Sequence, residues 1–315
     1  MFDRGEKEEK EDKGKHGIIK KLVFRLVKKH IAGSTMSAVL ENVRKNSSNG
    51  MHTTVTLLNE HVDDANKARY NTNSYLQFIR QMSRLRLNAS CSIRLSQLGY
   101  GINGQVLDKS VSTVLDEACG RGVPVWLEYE KGISLDKLFG IYRKYKTRCP
   151  SLGAELPVMY PVDAETIRSM VRKGDNIKLV SYSFANGSSP VKSRKSIIKN
   201  RANESEKYEE ISTGGTYEKY IAKIGRLLQS GAKVSVLEPD EGLISKIASF
   251  SKEYRKELIF ELPLGFNERK ARKLIATRVR IGVYLPYGKD WSPYVVNKLV
   301  DGRVRDLAVK VLSEG

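Results

Sequence analysis

The chain has 315 residues, room for roughly two domains of ordinary size or for one α/β barrel of about 200 to 250 residues with extensions. Lys and Arg number 55 against 36 Asp and Glu, a formal net charge of +19, while 40% of the residues are hydrophobic, a fraction that excludes a disordered chain. No apolar stretch approaches the roughly 18 residues of a membrane span, and the N-terminus opens on mixed charges instead of a signal peptide's apolar core, so a reducing, cytoplasmic location is expected.

The three cysteines, Cys91, Cys119 and Cys149, show no C-x-x-C spacing, and the histidines (His16, His30, His52, His61) form no H-x-x-x-H pair. Neither a disulfide scaffold nor a zinc site is supported, and the cysteines read as small core residues. The positive charge is spread out. Ten Lys/Arg accompany six Asp/Glu in the first thirty residues, and six basic residues mix with four acidic ones from Lys192 to Glu210. With no RNP-like aromatic platform, zinc finger or helix-turn-helix pattern, the surplus reads as a solvated basic surface and no specific nucleic-acid partner is expected.

In chain order, residues 1–17, including the run from Glu6 to Lys13, are too polar to bury surface and are expected to form a disordered charged tail. Residues 18–50 are expected to form an N-terminal helical segment. From Ile18 to Ile31 the apolar residues fall at 18/19, 22/23, 26/27 and 31 with Lys and Arg between them, which makes one greasy and one cationic helix face. That face either packs on the rest of the protein or lies on a membrane as a peripheral contact at the inner face. A second helix is predicted from Ser34 or Thr35 to Lys45, with Asn49-Gly50 ending the connection.

Beyond Gly50, β-branched runs alternate with helical spacing. Strands are predicted at 52–58, 90–95, 122–128, 153–159, 177–184, 232–237, 257–262 and 279–285. Between them lie 3.6-residue patterns such as Tyr75, Phe78, Ile79 and Met82, or Tyr220, Ile224, Leu227 and Leu228. Eight strand-helix units demand parallel pairing with right-handed crossovers and close into a barrel, so residues 51–315 are expected to form a (β/α)8 TIM-type barrel preceded by N-terminal helices. The Ser-, Asn- and Lys-rich stretch 185–215 follows a strand and reads either as a loop over the active face or as a solvated insertion. Gly99-x-Gly101-x-x-Gly104 imitates a dinucleotide fingerprint, but Ser96-Gln97-Leu98 separate it from the strand, where a tight turn would be required.

The run Tyr284-Leu285-Pro286-Tyr287-Gly288-Lys289-Asp290-Trp291-Ser292-Pro293-Tyr294 resembles the end of the proline dehydrogenase barrel, Y-V-P-Y-G-x-D-W-x-P-Y. Ile93 to Gly99 is similar to that family's K-L-T-Q-L-G, Arg121 to Glu128 to its R-G-V-x-V-x-L-D, His30 to Thr35 to F-V-A-G-E-T, and Leu58 to Val62 to L-G-E-H-V. The resemblance runs from about residue 25 to the C-terminus. It implies a flavoenzyme that moves a hydride from L-proline, or a related imino acid, to FAD and passes the electrons to a quinone.

By the same resemblance the substrate carboxylate falls to Arg94, Asn297 and Lys298, the substrate face to Tyr284 and the polar network to Glu128. The cofactor contacts fall to Lys178, Val180, Ser181, Glu238 and Glu261. Several positions depart from the family. Arg94 replaces Lys, Glu128 replaces Asp, and Asn297-Lys298 replace an arginine pair whose guanidinium forks would grip a carboxylate bidentately. Tyr182 stands where a glycine is usual, Glu238-Pro239-Asp240 replace T-H-D, and Pro157 replaces a Gln. A barrel that has lost redox activity and serves as a binding or regulatory paralogue is the alternative reading.

Overall fold

A computed structural model of the chain describes residues 30–59, 62–130, 132–158, 167, 169–180, 216–237, 239, 243, 244, 246, 247, 256–265, 271, 274 and 280–289. The tail 1–17, nearly all of the amphipathic segment 18–31 and the stretch 185–215 lie outside these residues.

Eight strands alternate with helices: β1 His52–Leu57, β2 Ala89–Ile93, β3 Val125–Leu127, β4 Gly153–Pro157, β5 Asn176–Val180, β6 Lys233–Leu237, β7 Leu258–Pro263 and β8 Ile281–Tyr287. Each overlaps a segment predicted as a strand. All neighbours pair in parallel, and the sheet closes between β1 and β8 from His52 opposite Gly282 to Leu57 opposite Tyr287. The expected (β/α)8 barrel is therefore the fold.

Five helices lie among the described residues: α1 Met36–Ser48, α2 Ala65–Arg84, α3 Gly104–Gly120, α4 Leu135–Lys146 and α5 Thr216–Gln229. Four begin at a side chain that accepts a first-turn N–H, as orphan amide groups there require. Thr35 accepts from Ala38, Asp64 from Asn66 and Lys67, Asn103 from Val106, and Ser134 from Lys137. α1 runs three residues past the expected Lys45 and stops at Asn49 and Gly50, the latter at φ +73°, where a side chain would be strained. In the glycine-rich string, Ser96–Leu98 form a 3-10 turn, Gly99 (φ +100°) ends it and Asn103 caps α3, so the string is a strand-to-helix connection.

The two-residue strand period sorts the side chains. Ile177 and Leu179 of β5, and Ile281, Val283, Leu285 and Tyr287 of β8, join the core between barrel and helices with Phe78, Ile79, Val114 and Leu115. Phe78 of α2 meets Tyr287 with ring centroids 6.0 Å apart. The alternate residues, among them Lys178, Tyr284 and Glu261, turn inward. Outside the barrel, Arg143 of α4 donates to both carboxylate oxygens of Asp175, which precedes β5.

Cys91 and Cys149 lie in the apolar core and Cys119 packs against it, in line with their reading as small core residues. The structure also brings Cys119 and Cys149 side by side, Cα–Cα 5.5 Å, between the end of α3 and the turn after α4. Sequence spacing carries no trace of this contact, because it arises from the packing of two neighbouring helices.

At Gly153 an added Cβ would overlap the ring of Trp126, which turns inward from β3. Gly153→Ala should therefore lower the unfolding free energy by about 1–3 kcal/mol, measured by urea denaturation. An unchanged midpoint would contradict this packing.

Candidate active site

The inward layers of a TIM barrel are ordinarily filled by branched apolar side chains. Here they carry buried charge: Lys178 is 0% exposed, Glu261 1%, Glu128 4% and Glu155 4%. Buried charges persist only when paired and hydrogen-bonded, and two networks supply that pairing.

The first lies at the C-terminal ends of the strands, the end where barrel enzymes place their chemistry. Glu128, directly after β3, is its hub. One carboxylate oxygen accepts from Arg94 Nε at 2.6 Å; the other accepts from the Thr56 hydroxyl at 2.6 Å and the Tyr284 hydroxyl at 3.1 Å. Burial disfavours the charged forms of both Glu128 and Arg94, but their mutual attraction prevails. Glu128 is held below the usual carboxylate range and the Arg94 guanidinium above its ordinary value.

The turn behind Arg94 is itself pinned. Gln97 donates to the carbonyls of Leu57 (3.0 Å) and Asn59 (2.9 Å) and accepts from the Tyr75 hydroxyl at 2.5 Å. The Tyr75 oxygen in turn accepts the Arg94 backbone N–H. Glu130 accepts the Ser96 N–H at 3.0 Å and the Ser96 hydroxyl, and burial raises its carboxyl above the usual range. These contacts give a physical reason for the Ser96-Gln97-Leu98-Gly99 string: it fixes the backbone that aims Arg94.

The second network lies one layer deeper. Lys178 donates to one oxygen of Glu261 at 2.9 Å, and the Ser235 hydroxyl donates to the other at 2.7 Å. The Lys178 ammonium sits 4.5 Å from the Trp126 ring centroid and 5.7 Å from that of Tyr284, positions of cation–π attraction. Glu155 stands near both networks. One of its oxygens accepts the Tyr129 N–H at 3.1 Å, and the other has no hydrogen-bond partner among the described residues. Burial, with the nearby Glu128 carboxylate, pushes Glu155 up to about 8, so it is protonated at neutral pH.

Of the positions singled out in the sequence, Arg94, Glu128 and Tyr284 meet in one network, and Lys178 meets Glu261. Val180 clusters with Leu237 and Tyr284. Ser181, Glu238, Asn297 and Lys298 lie outside the described residues. Sequence reasoning missed Thr56, Ser235, Trp126 and Glu155. The available signal was strand parity: Glu155 shares a face with Gly153 and Pro157 and alternates with the core residues Ala154 and Leu156, so on a closed barrel it faces inward.

The apolar cluster of Val180, Leu237 and Tyr284 bears on whether a flavin suits the site. These residues end β5 and β6 and lie on β8, inside the C-terminal half, and a flat ring system needs such a platform. In that respect the residues present fit the cofactor. Lys178 and Glu261 fit it less directly, since each is the other's partner. No helix among the described residues is long and apolar enough to cross a membrane.

No protein-family model matches the chain. It is 21% identical to proline dehydrogenase 2 of Bacillus subtilis (strain 168) over 276 residues, 87% of this chain and 85% of that protein. It is 20% identical to the proline dehydrogenase of Deinococcus radiodurans over 296 residues, 90% and 88% of the two chains. Among solved structures, proline utilization A (PutA) from Bdellovibrio bacteriovorus, inactivated by N-propargylglycine, superposes with a TM-score of 0.71 at 14% identity over 94% of this chain. This chain spans 36% of that PutA chain.

Glu155 makes stability depend on pH. Its folded value lies above its unfolded one, so its contribution is full below the ordinary carboxylate range and is lost as pH rises through about 8. Glu155→Gln should flatten the fall in stability between about pH 5 and pH 8 and be more stable than the parent at pH 8, followed by denaturant titrations across that range. Parallel pH profiles of parent and variant would count against a buried, protonated Glu155.

Proposed function

Because the chain is a divergent relative of the proline dehydrogenases, we propose that it oxidises L-proline or a related imino acid to pyrroline-5-carboxylate or its analogue, with FAD as cofactor and a quinone as electron acceptor. The single observation that carries this reading is the Arg94–Glu128–Tyr284 network at the C-terminal mouth of a closed barrel.

The side chains have distinct tasks. Arg94 offers a permanently charged guanidinium whose Nε is tied to Glu128, so its orientation is set before substrate arrives. The imino acid's carboxylate then meets a preorganised cation, and family resemblance assigns Asn297 and Lys298 to the same carboxylate. Tyr284, its hydroxyl donating to Glu128, presents its ring to the apolar ring of the substrate. Thr56 completes the shell that keeps Glu128 ionised. Val180, Leu237 and Tyr284 would hold the flavin ring, and a bound flavin would supply the hydride acceptor. Family resemblance assigns Ser181 and Glu238 to the remaining cofactor contacts.

A second reading, a barrel that binds an imino acid without oxidising it, is favoured by the Lys178–Glu261 pair: the cation expected beside the flavin is bonded to a carboxylate.

Purified protein with near-stoichiometric visible flavin absorbance that bleaches on adding proline supports the dehydrogenase. Colourless protein that cannot be reconstituted with FAD, yet binds proline, supports the second reading. In the flavin-loaded protein, Arg94→Met should raise the KM for proline by tens- to a thousandfold, the equivalent of about 2–5 kcal/mol for a lost charged partner. The double change Asn297→Arg with Lys298→Arg should lower it. Steady-state kinetics checks both, and an unaffected KM in Arg94→Met would remove the carboxylate assignment.

A further inference from the structure

The opposite mouth of the barrel, where the strands begin, holds a cavity of about 430 Å³. This size lies within the range of small-molecule sites, roughly 300–1,000 Å³. In TIM barrels this end generally serves stability, yet here its lining carries the chemistry of a receptor. Lys233 begins β6, Lys256 precedes β7 and Arg280 precedes β8, so three cations from three successive strands stand around one opening. Arg280 Nη1 donates to the Lys256 carbonyl at 2.5 Å, which holds the guanidinium at the rim.

The opposing charge in the lining is smaller. Glu261 reaches the cavity from above, but its two oxygens already accept from Lys178 and Ser235. Glu257 is the other carboxylate of the lining. His52, at the start of β1, is held below its ordinary value by burial and adds no charge at neutral pH. Three cations against these two carboxylates, one of them already paired with Lys178, leave the lining with a positive excess.

A second observation is independent of the charges. Trp126 lines the same cavity and is only partly buried, so part of its ring is open to a ligand there. An aromatic surface at the edge of a cation-rimmed opening favours a ligand with a flat or apolar body. Three rim cations beside an aromatic surface call for a ligand that is acidic at one end and flat or apolar at the other.

We propose that the N-terminal mouth of the barrel binds a small organic anion, its acid group held by Lys233, Lys256 and Arg280 and its apolar body placed against Trp126. The site is separated from the Arg94–Glu128 network by the Lys178–Glu261 layer, and it stands whether or not the chain oxidises an imino acid. A carboxylate and a phosphate share the chemistry the rim recognises.

The test is calorimetric titration of the full chain with benzoate and with phenyl phosphate, which carry the same ring and different acid groups. A saturable isotherm is expected for at least one, and the tighter of the two identifies the acid group. Lys233→Gln and Arg280→Gln, both surface changes, should each weaken binding at least about tenfold, the scale of one lost charged contact. Lys109→Gln, which removes the same charge from the exposed face of α3, should leave binding unchanged. Trp126 emission, read in a Trp291→Phe background, should change along the same isotherm. Absence of saturation with both probes, or equal weakening by Lys109→Gln, would overturn the site, the latter by reducing it to general charge attraction.

Discussion

The Glu128 carboxylate can remain ionised inside the barrel only because Arg94, Thr56 and Tyr284 all point at it. Arg94 follows β2 and Glu128 follows the adjacent β3, while Thr56 lies on β1 and Tyr284 in the middle of β8, so the full network forms only when the sheet is closed in the right register. Removing one member of a buried pair leaves an uncompensated charge, at a cost of about 3–5 kcal/mol. The strength of that penalty explains why so much else serves the pair. Tyr75, Gln97 and the 3-10 turn of Ser96–Leu98 add nothing to the barrel's apolar core beyond Leu98 and the tyrosine ring; their polar atoms fix the backbone of Arg94.

A second pair, Lys178 with Glu261, lies one layer below and divides the interior into an upper and a lower half. Above it stand the Arg94 network and the apolar platform of Val180, Leu237 and Tyr284; below it opens the cation-rimmed cavity. Arg94 offsets Glu128 and Lys178 offsets Glu261, while burial raises the carboxyls of Glu130 and Glu155, the latter enough to hold its proton at neutral pH. A barrel lined this way departs from one filled by valine and isoleucine, and packing stability has been exchanged for polar groups held in set positions.

How far this was legible beforehand differs by element. The eight strands were readable because each carries apolar residues on its core-facing side and they recur between helical patterns, and because the count itself implies closure. α1 overran its expected end since Lys45 to Ser48 have no breaker until Asn49-Gly50. The grouping of Arg94, Glu128 and Tyr284 followed from family resemblance. Glu155 and Ser235 passed unnoticed because no motif contains them and their importance comes from facing inward. The Cys119–Cys149 contact, thirty residues apart in sequence, was invisible for the same reason.

The sequence by itself determined the alternation of strand and helix, the helix caps at Thr35, Asp64, Asn103 and Ser134, and the division of each strand into two faces, since these depend on a residue and its near neighbours along the chain. Tertiary structure alone decided which charge meets which. Glu128 and Tyr284 are 156 residues apart and Lys178 and Glu261 are 83 apart, yet each pair lies within hydrogen-bond reach. Hydrogen bonds and ion pairs act over a few ångströms, so their partners are set by the closure and register of the barrel and not by separation along the chain.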